Sequence, residues 1–219
     1  MVMATKTPTA AGISLTSVTL EVTDLATADT FYRAFGVDAY VRLQASEAPS
    51  TGFRGFTVAL TVAQPGTVDA FFDAAVGAGA TVLKSPSKSF WGYAGVVQAP
   101  DGTIWKIATS AKKDTGPATR TVDEVVLLLG VEDVKATKQC YVGQGLTVAK
   151  SFGGKYVEFA PGRHGLVKLA LYKRTALAKD LGVAADGSGS HRVVLGGATD
   201  GFTDLDGFVW EAAPTAATP

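Results

Sequence analysis

The chain has 219 residues, 47% hydrophobic and 18% charged, with 20 basic residues against 20 acidic ones. That balance excludes a disordered chain and leaves no net field to gather nucleic acid or an anionic membrane. No run of about 18 apolar residues occurs, which excludes a membrane-spanning helix, and the single cysteine, Cys140, excludes an internal disulfide framework and fits a cytoplasmic location.

Residues 1–14 lack the apolar stretch of a secretion signal and read as a flexible tail, as do residues 214–219. From Ser17 to Val22 the pattern alternates, with Val18, Leu20 and Val22 on one face and Ser17, Thr19 and Glu21 on the other, which predicts a half-buried strand. Asp24 then suits a helix N-cap, Leu25, Ala28, Phe31, Tyr32 and Phe35 recur at helical spacing, and Gly36 ends the run. Residues 53–62 read as a strand, and residues 67–77 as a helix with Val68, Phe71, Phe72 and Ala75 inward. Asp101-Gly102 forms a tight turn into a short strand carrying Trp105 and Lys106. Residues 111–120, rich in Lys, Thr, Gly and Pro, form the linker between a first half, 15–110, and a second half, 121–213.

In the second half Asp133 opens a helix with Val134, Cys140 and Tyr141 inward, which favours Cys140 as a core residue over a nucleophile. Residues 155–160 and 166–172 are strand candidates, 174–181 a short helix, and 186–190 a Gly/Ser-rich connection. His164 falls in a surface turn. His191 opens a strand, 191–195, and Asp206-Gly207 turns into a last strand with Trp210 and Glu211. Gly130 suggests a bulge in the strand that holds Glu124.

The chain also repeats itself. Val22-Thr-Asp24, Phe31-Tyr32 and Gly36-Val37 recur as Val131-Glu-Asp133, Cys140-Tyr141 and Gly145-Leu146, at an offset of 109. Asp101-Gly-Thr-Ile-Trp105-Lys106 recurs as Asp206-Gly-Phe-Val-Trp210-Glu211, at an offset of 105. Two matches in the same order at nearly equal spacing point to a duplicated strand–helix–strand unit.

Val-x-Asp followed by Phe-Tyr and Gly, the Trp91-Gly-Tyr93 segment, and Ala99-Pro-Asp-Gly-Thr-Ile-Trp-Lys106 resemble the vicinal-oxygen-chelate superfamily, which includes glyoxalase I, bleomycin-resistance proteins and extradiol dioxygenases. The resemblance runs from about Ser17 to Ala212. It implies an α+β fold: tandem βαβββ modules whose curved mixed sheets enclose a pocket. Each half is then either one enlarged module or two trimmed ones.

Enzymes of that superfamily hold a divalent metal through strand-borne His, Gln or Glu, which polarises a substrate oxygen as a Lewis acid. Here the resemblance puts Ser17 at the first-strand ligand position and Lys106 where the family has Glu, and a charged ammonium cannot ligate. The second half keeps Glu211 at the terminal carboxylate position, with Glu124 and His191 near two others. A metal set of Glu124, His191 and Glu211, taking Zn, Ni, Mn or Fe, is one reading; a Lys106–Glu211 ion pair in place of a metal is the other. Phe53, Arg54, Trp91, Tyr93, Tyr156 and Glu158 are the candidate ligand-binding residues. Alternation turns Trp105 and Trp210 away from the pocket, into the core.

Three functions compete. The first is metal-free binding of a small aromatic or apolar metabolite or drug, with no cofactor. The second is an enzyme: either a metal-dependent lyase, isomerase or dioxygenase in the second half, or an acid–base catalyst in which Glu211 or Glu21 abstracts a proton while Lys106 stabilises the oxyanion. The third is a structural role. The expected partner is a small organic molecule, with no nucleic acid and no membrane, and the chain is a monomer or homodimer.

Overall fold

The computed structural model describes residues 13–162 and 165–212, so most of the first expected tail, all of the second and His164 lie outside the described residues. Strand β1 (Ser17–Val22) buries Val18, Leu20 and Val22 and leaves Ser17, Thr19 and Glu21 half exposed. Helix α1 (Leu25–Phe35) begins where the Asp24 carboxylate accepts from Thr27 N at 3.0 Å, and it buries Ala28, Phe31, Tyr32 and Phe35. Leu25, expected to face inward, is 43% exposed, because the first turn lies ahead of the stretch that meets the core. A 3-10 turn (Asp38–Tyr40) leads to β2 (Arg42–Ala45) and β3 (Ser50–Gly52).

Two complete βαβββ units follow. The first is β4 (Phe56–Thr61), α2 (Pro65–Gly77), β5 (Thr81–Ser89), β6 (Gly92–Gln98) and β7 (Ile104–Thr109). The second is β8 (Glu124–Val131), α3 (Val134–Gly143), β9 (Val148–Phe152), β10 (Tyr156–Phe159) and β11 (Val167–Lys173). The chain closes with α4 (Arg174–Leu181), β12 (Gly187–Gly189), β13 (Val193–Ala198), β14 (Phe202–Thr203) and β15 (Val209–Ala212).

Together the complete units form one eight-stranded sheet, β5-β6-β7-β4-β8-β11-β10-β9. At its centre β4 and β8 pair antiparallel, and each has a parallel neighbour, β7 and β11. A five-stranded sheet, β14-β15-β13-β1-β2, repeats that centre in abridged form: β1 and β13 pair antiparallel, flanked by parallel β2 and β15. Each half of the chain therefore supplies one complete and one abridged unit, and both sheets take strands from both halves. The Gly/Ser-rich 186–190 stretch, expected as a loop, contributes β12, which pairs with β3 as a two-stranded ribbon.

The core lies on the face that the two sheets share with α1, α2 and α3. Trp105 packs on Tyr32 and Phe35 with ring centroids 5.8 and 5.3 Å apart, and Trp210 packs on Tyr141 at 5.5 Å. The connection between β7 and β8 is tied down by the buried Gln64, whose amide donates to the Gly116 and Pro117 carbonyls at 2.9 Å and accepts from Thr115 N at 2.8 Å.

Helix α4 lies on the opposite, inner face of the eight-stranded sheet. Leu177, Ala178 and Leu181 form a second cluster with Val96 of β6, Ile104 of β7 and Phe53, and Leu128 and Tyr172 pack at its margin. Gly130 permits this approach: a Cβ there would lie 3.0 Å from the Gly55 carbonyl and 3.2 Å from the Arg174 Cα. The β8–β11 register runs through Gly130 without interruption, so the glycine makes room for a neighbouring backbone and does not mark a bulge.

Candidate functional site

The inner face is the side of the eight-stranded sheet away from the core. Its rows follow from strand register. Lys106, Ala59, Val126 and Lys168 share one row across β7, β4, β8 and β11. Thr57, Leu128, Ala170, Glu158 and Lys150 share the next. Tyr172, Tyr156 and Phe152 make a third, on β11, β10 and β9. Helix α4 covers Val96, Ile104 and Leu128 and also packs on Tyr172 of β11, and it leaves the β9–β10 side open, where Phe152 is 65% exposed.

On the open side the third row is an aromatic ladder. Phe152 and Tyr156 have ring centroids 6.0 Å apart, and Tyr156 and Tyr172 are 6.2 Å apart in an edge-on arrangement. Beside it stand four alternating charges. Glu158, 7% exposed, accepts from the Tyr156 hydroxyl at 3.0 Å and pairs with Lys150 at 3.3 Å and Lys168 at 3.8 Å. Lys168 also donates to Glu124. That hydrogen bond is the main reason the Lys168 ammonium is held above its usual range. Burial, reinforced by the charge of Glu158, pushes the Tyr156 phenol well above its usual range, so it stays a neutral donor. Every carboxylate here is already engaged by a lysine or a tyrosine. The arrangement is an aromatic row beside charges that pair with one another.

The structure does not bring Glu124, His191 and Glu211 together, and the described residues hold no group of three His, Cys, Asp or Glu side chains placed to share a metal. Glu124 lies on β8, paired with Lys168. Glu211 is exposed on β15, in the other sheet. His191 precedes its strand, which starts at Val193 because Arg192 takes a left-handed conformation, φ 56°. Its Nδ1 faces the Arg54 carbonyl at 2.5 Å and its Nε2 the Asp206 carbonyl at 2.9 Å, while the ring stacks on Phe208 at 3.9 Å. Ligation needs an imidazole lone pair, and both nitrogens are turned to acceptors.

Lys106 does not meet Glu211 either. The two stand on different sheets, and Lys106 Nζ pairs with Asp180 of α4 at 2.6 Å. The offset of 109 carries Ser17 onto Val126, so the corresponding position of β8 holds a hydrocarbon, two residues from Glu124 on the same face. The described residues at these positions therefore do not fit a divalent metal.

Trp91 and Tyr93 lie away from the inner face. Trp91 is 83% exposed at the tip of the β5–β6 hairpin, edge-on to Phe90 at 5.0 Å. Tyr93 pairs in register with Thr109, on the side of the helices, and donates to Asp69 of α2 at 2.8 Å. Phe53 and Arg54 precede β4 and come together with His191 in a separate cleft. The sequence reading missed Lys150, Lys168, Phe152 and Tyr172. Alternation across 166–172 marks Lys168 and Tyr172 as sharing one face, but nothing local places that face beside Glu158.

With its eight-stranded sheet of two βαβββ units, joined β4 to β8 and backed by an abridged five-stranded sheet, this chain has the fold of glyoxalase I. Glyoxalase I from Zea mays superposes at TM-score 0.56 and 12% identity, covering 91% of this chain and 91% of that one. A point mutant of that enzyme gives TM-score 0.58 at 13% identity, with 92% and 93% covered. A candidate dioxygenase from Bacillus subtilis gives TM-score 0.55 at 11% identity, with 92% and 85% covered. No protein-family profile and no curated protein matches the sequence. Among the described residues no helix is long and apolar enough to cross a membrane.

Proposed function

We propose that this glyoxalase-fold chain binds a small, flat organic molecule without a metal, on the open side of the eight-stranded sheet. The observation that carries the reading is the Phe152–Tyr156–Tyr172 ladder bordered by Glu124, Lys168, Glu158 and Lys150. An aromatic shelf beside paired charges suits an aromatic ligand that bears a hydrogen-bonding or ionisable group, which is a more polar ligand than composition alone suggests. Placement of Lys106 in an ion pair beneath α4 supports binding over metal-assisted catalysis, because the position that would carry a ligating carboxylate is taken by a cation.

The test is a screen of aromatic acids and amines by tyrosine fluorescence, with the ligand recovered and weighed by mass spectrometry. The proposal expects recovery unchanged, and Tyr156→Ala to weaken binding by roughly tenfold. Conversion of the ligand, or full affinity in Tyr156→Ala, contradicts it.

A further inference from the structure

The β5–β6 hairpin turns through a two-residue loop, Phe90-Trp91, between the paired Ser89 and Gly92. Loops of that length favour Asn, Asp and Gly, whose backbone freedom suits the turn. Here both positions are aromatic, and at 80% and 83% they are the most exposed large apolar side chains among the described residues. We propose that this tip is a membrane contact. The two rings enter the headgroup layer of an anionic bilayer, and the lysines behind them face its phosphates and carboxylates.

The turn holds the rings outward. The Ser89 hydroxyl accepts from Trp91 N at 3.1 Å, which braces the loop. A Cβ at Gly92 would collide with the Thr109 carbonyl, so a glycine there lets β6 lie this close to the end of β7. Phe90 and Trp91 meet edge-on at 5.0 Å, and neither belongs to a core cluster. The fold therefore gains nothing from them that a polar pair would not supply. Two adjacent exposed rings at a protruding tip mark a surface that meets something apolar, and aromatic rings favour the bilayer interface.

Charge behind the tip selects an anionic surface. Lys112 Nζ lies 5.7 Å from the centre of the Phe90 ring, and Lys88, Lys112 and Lys113 line one cleft with Tyr93. All three lysines are exposed, and none makes an ion pair among the described residues. The two carboxylates of that cleft are turned to α2: Asp114 accepts from Gly66 N at 2.6 Å and Asp69 from the Tyr93 hydroxyl at 2.8 Å. Three unpaired ammoniums against two engaged carboxylates leave a positive excess next to the rings. An ammonium above a ring that enters the interface can stay at headgroup level, where anionic lipid attracts it. The expectation of no membrane partner follows from the balanced charge of the whole chain, and that sum does not describe one end of the molecule.

The experiment mixes the full chain with phosphatidylcholine vesicles, with and without phosphatidylserine, and reads flotation and tryptophan emission. Trp105 and Trp210 are 0% and 1% exposed, so Trp91 carries the change in emission. Expected are flotation and blue-shifted emission with the phosphatidylserine vesicles, weakened by added salt and by leaving out phosphatidylserine. Phe90→Ser and Trp91→Ser should each weaken flotation roughly tenfold, and Lys112→Gln about fivefold. Circular dichroism should show all three variants folded, because the substituted side chains are exposed. No flotation of the wild type, flotation with unshifted emission, equal binding to both vesicles, or full binding by Phe90→Ser or Trp91→Ser each overturn the assignment. A blue shift without vesicles that grows with protein concentration also overturns it, and gives the tip to a second copy of the chain.

Discussion

Tyr141 carries its hydroxyl into the core and donates to Asp204 at 2.6 Å, as Tyr32 does to Asp101 at 2.6 Å. Asp204 also accepts from Asp206 N at 2.9 Å and Phe208 N at 2.8 Å, yet burial outweighs these bonds and raises its pKa above 3.8. A carboxyl whose folded pKa is raised favours the protonated folded state, so its contribution is complete below the unfolded value and is lost as pH rises through the folded one. Tyr141→Phe removes a bond that opposes the shift. It should cost roughly 1–3 kcal/mol in urea unfolding and move the Asp204 NMR titration further up; an unchanged titration contradicts this. At this scale the sequence is readable where one periodicity governs the outcome. Alternation is enough to turn Trp105 and Trp210 inward. It cannot supply the partner of Lys106, because Asp180 is distant in the chain, nor the backbone reversal at Arg192 that takes His191 out of its strand.

Helix α4 illustrates the same limit for elements. Its span, residues 174–181, follows from helical spacing, but its seat does not, because Leu177, Ala178 and Leu181 would cover any apolar sheet face equally well. The register of the other strands decides that it covers Val96, Ile104 and Leu128. Leu177→Ala should therefore destabilise the chain by roughly 2–5 kcal/mol, measured by urea unfolding. Gly130→Ala should cost about 1–3 kcal/mol, since the added methyl meets the Gly55 and Arg174 backbones. Wild-type stability in either variant would mean that α4 does not rest on the sheet. Strands β2, β3, β5, β6, β9, β12 and β14 escaped sequence reading: β2, β3, β12 and β14 span four residues or fewer, β5 and β9 are mostly exposed, and β6 buries consecutive residues without alternation.

In the whole molecule the antiparallel seams β1–β13, β4–β8 and β3–β12 join the two halves three times. A chain cut in the β7–β8 connection should give two halves that lack cooperative unfolding alone and regain it when mixed, followed by circular dichroism during thermal melts. Independent cooperative melting of either half contradicts the interlocked account. The architecture was legible in the sequence because the ordered matches around Asp24, Asp133, Trp105 and Trp210 lie on framework strands and helices. The candidate site was only partly legible, since it assembles from register across β8 to β11.

Among the described residues neither sheet holds a metal set: Ser17 stands on β1 of the five-stranded sheet, Lys106 and Val126 on the inner face of the eight-stranded one, Glu124 is held by Lys168 and His191 by two carbonyls. The most direct measurement is metal content of protein purified without chelators, together with thermal shift on adding Zn, Ni, Mn or Fe. The expected result is a metal content well below one equivalent and no stabilisation. One tightly bound equivalent that is lost in His191→Ala or Glu211→Ala would contradict it.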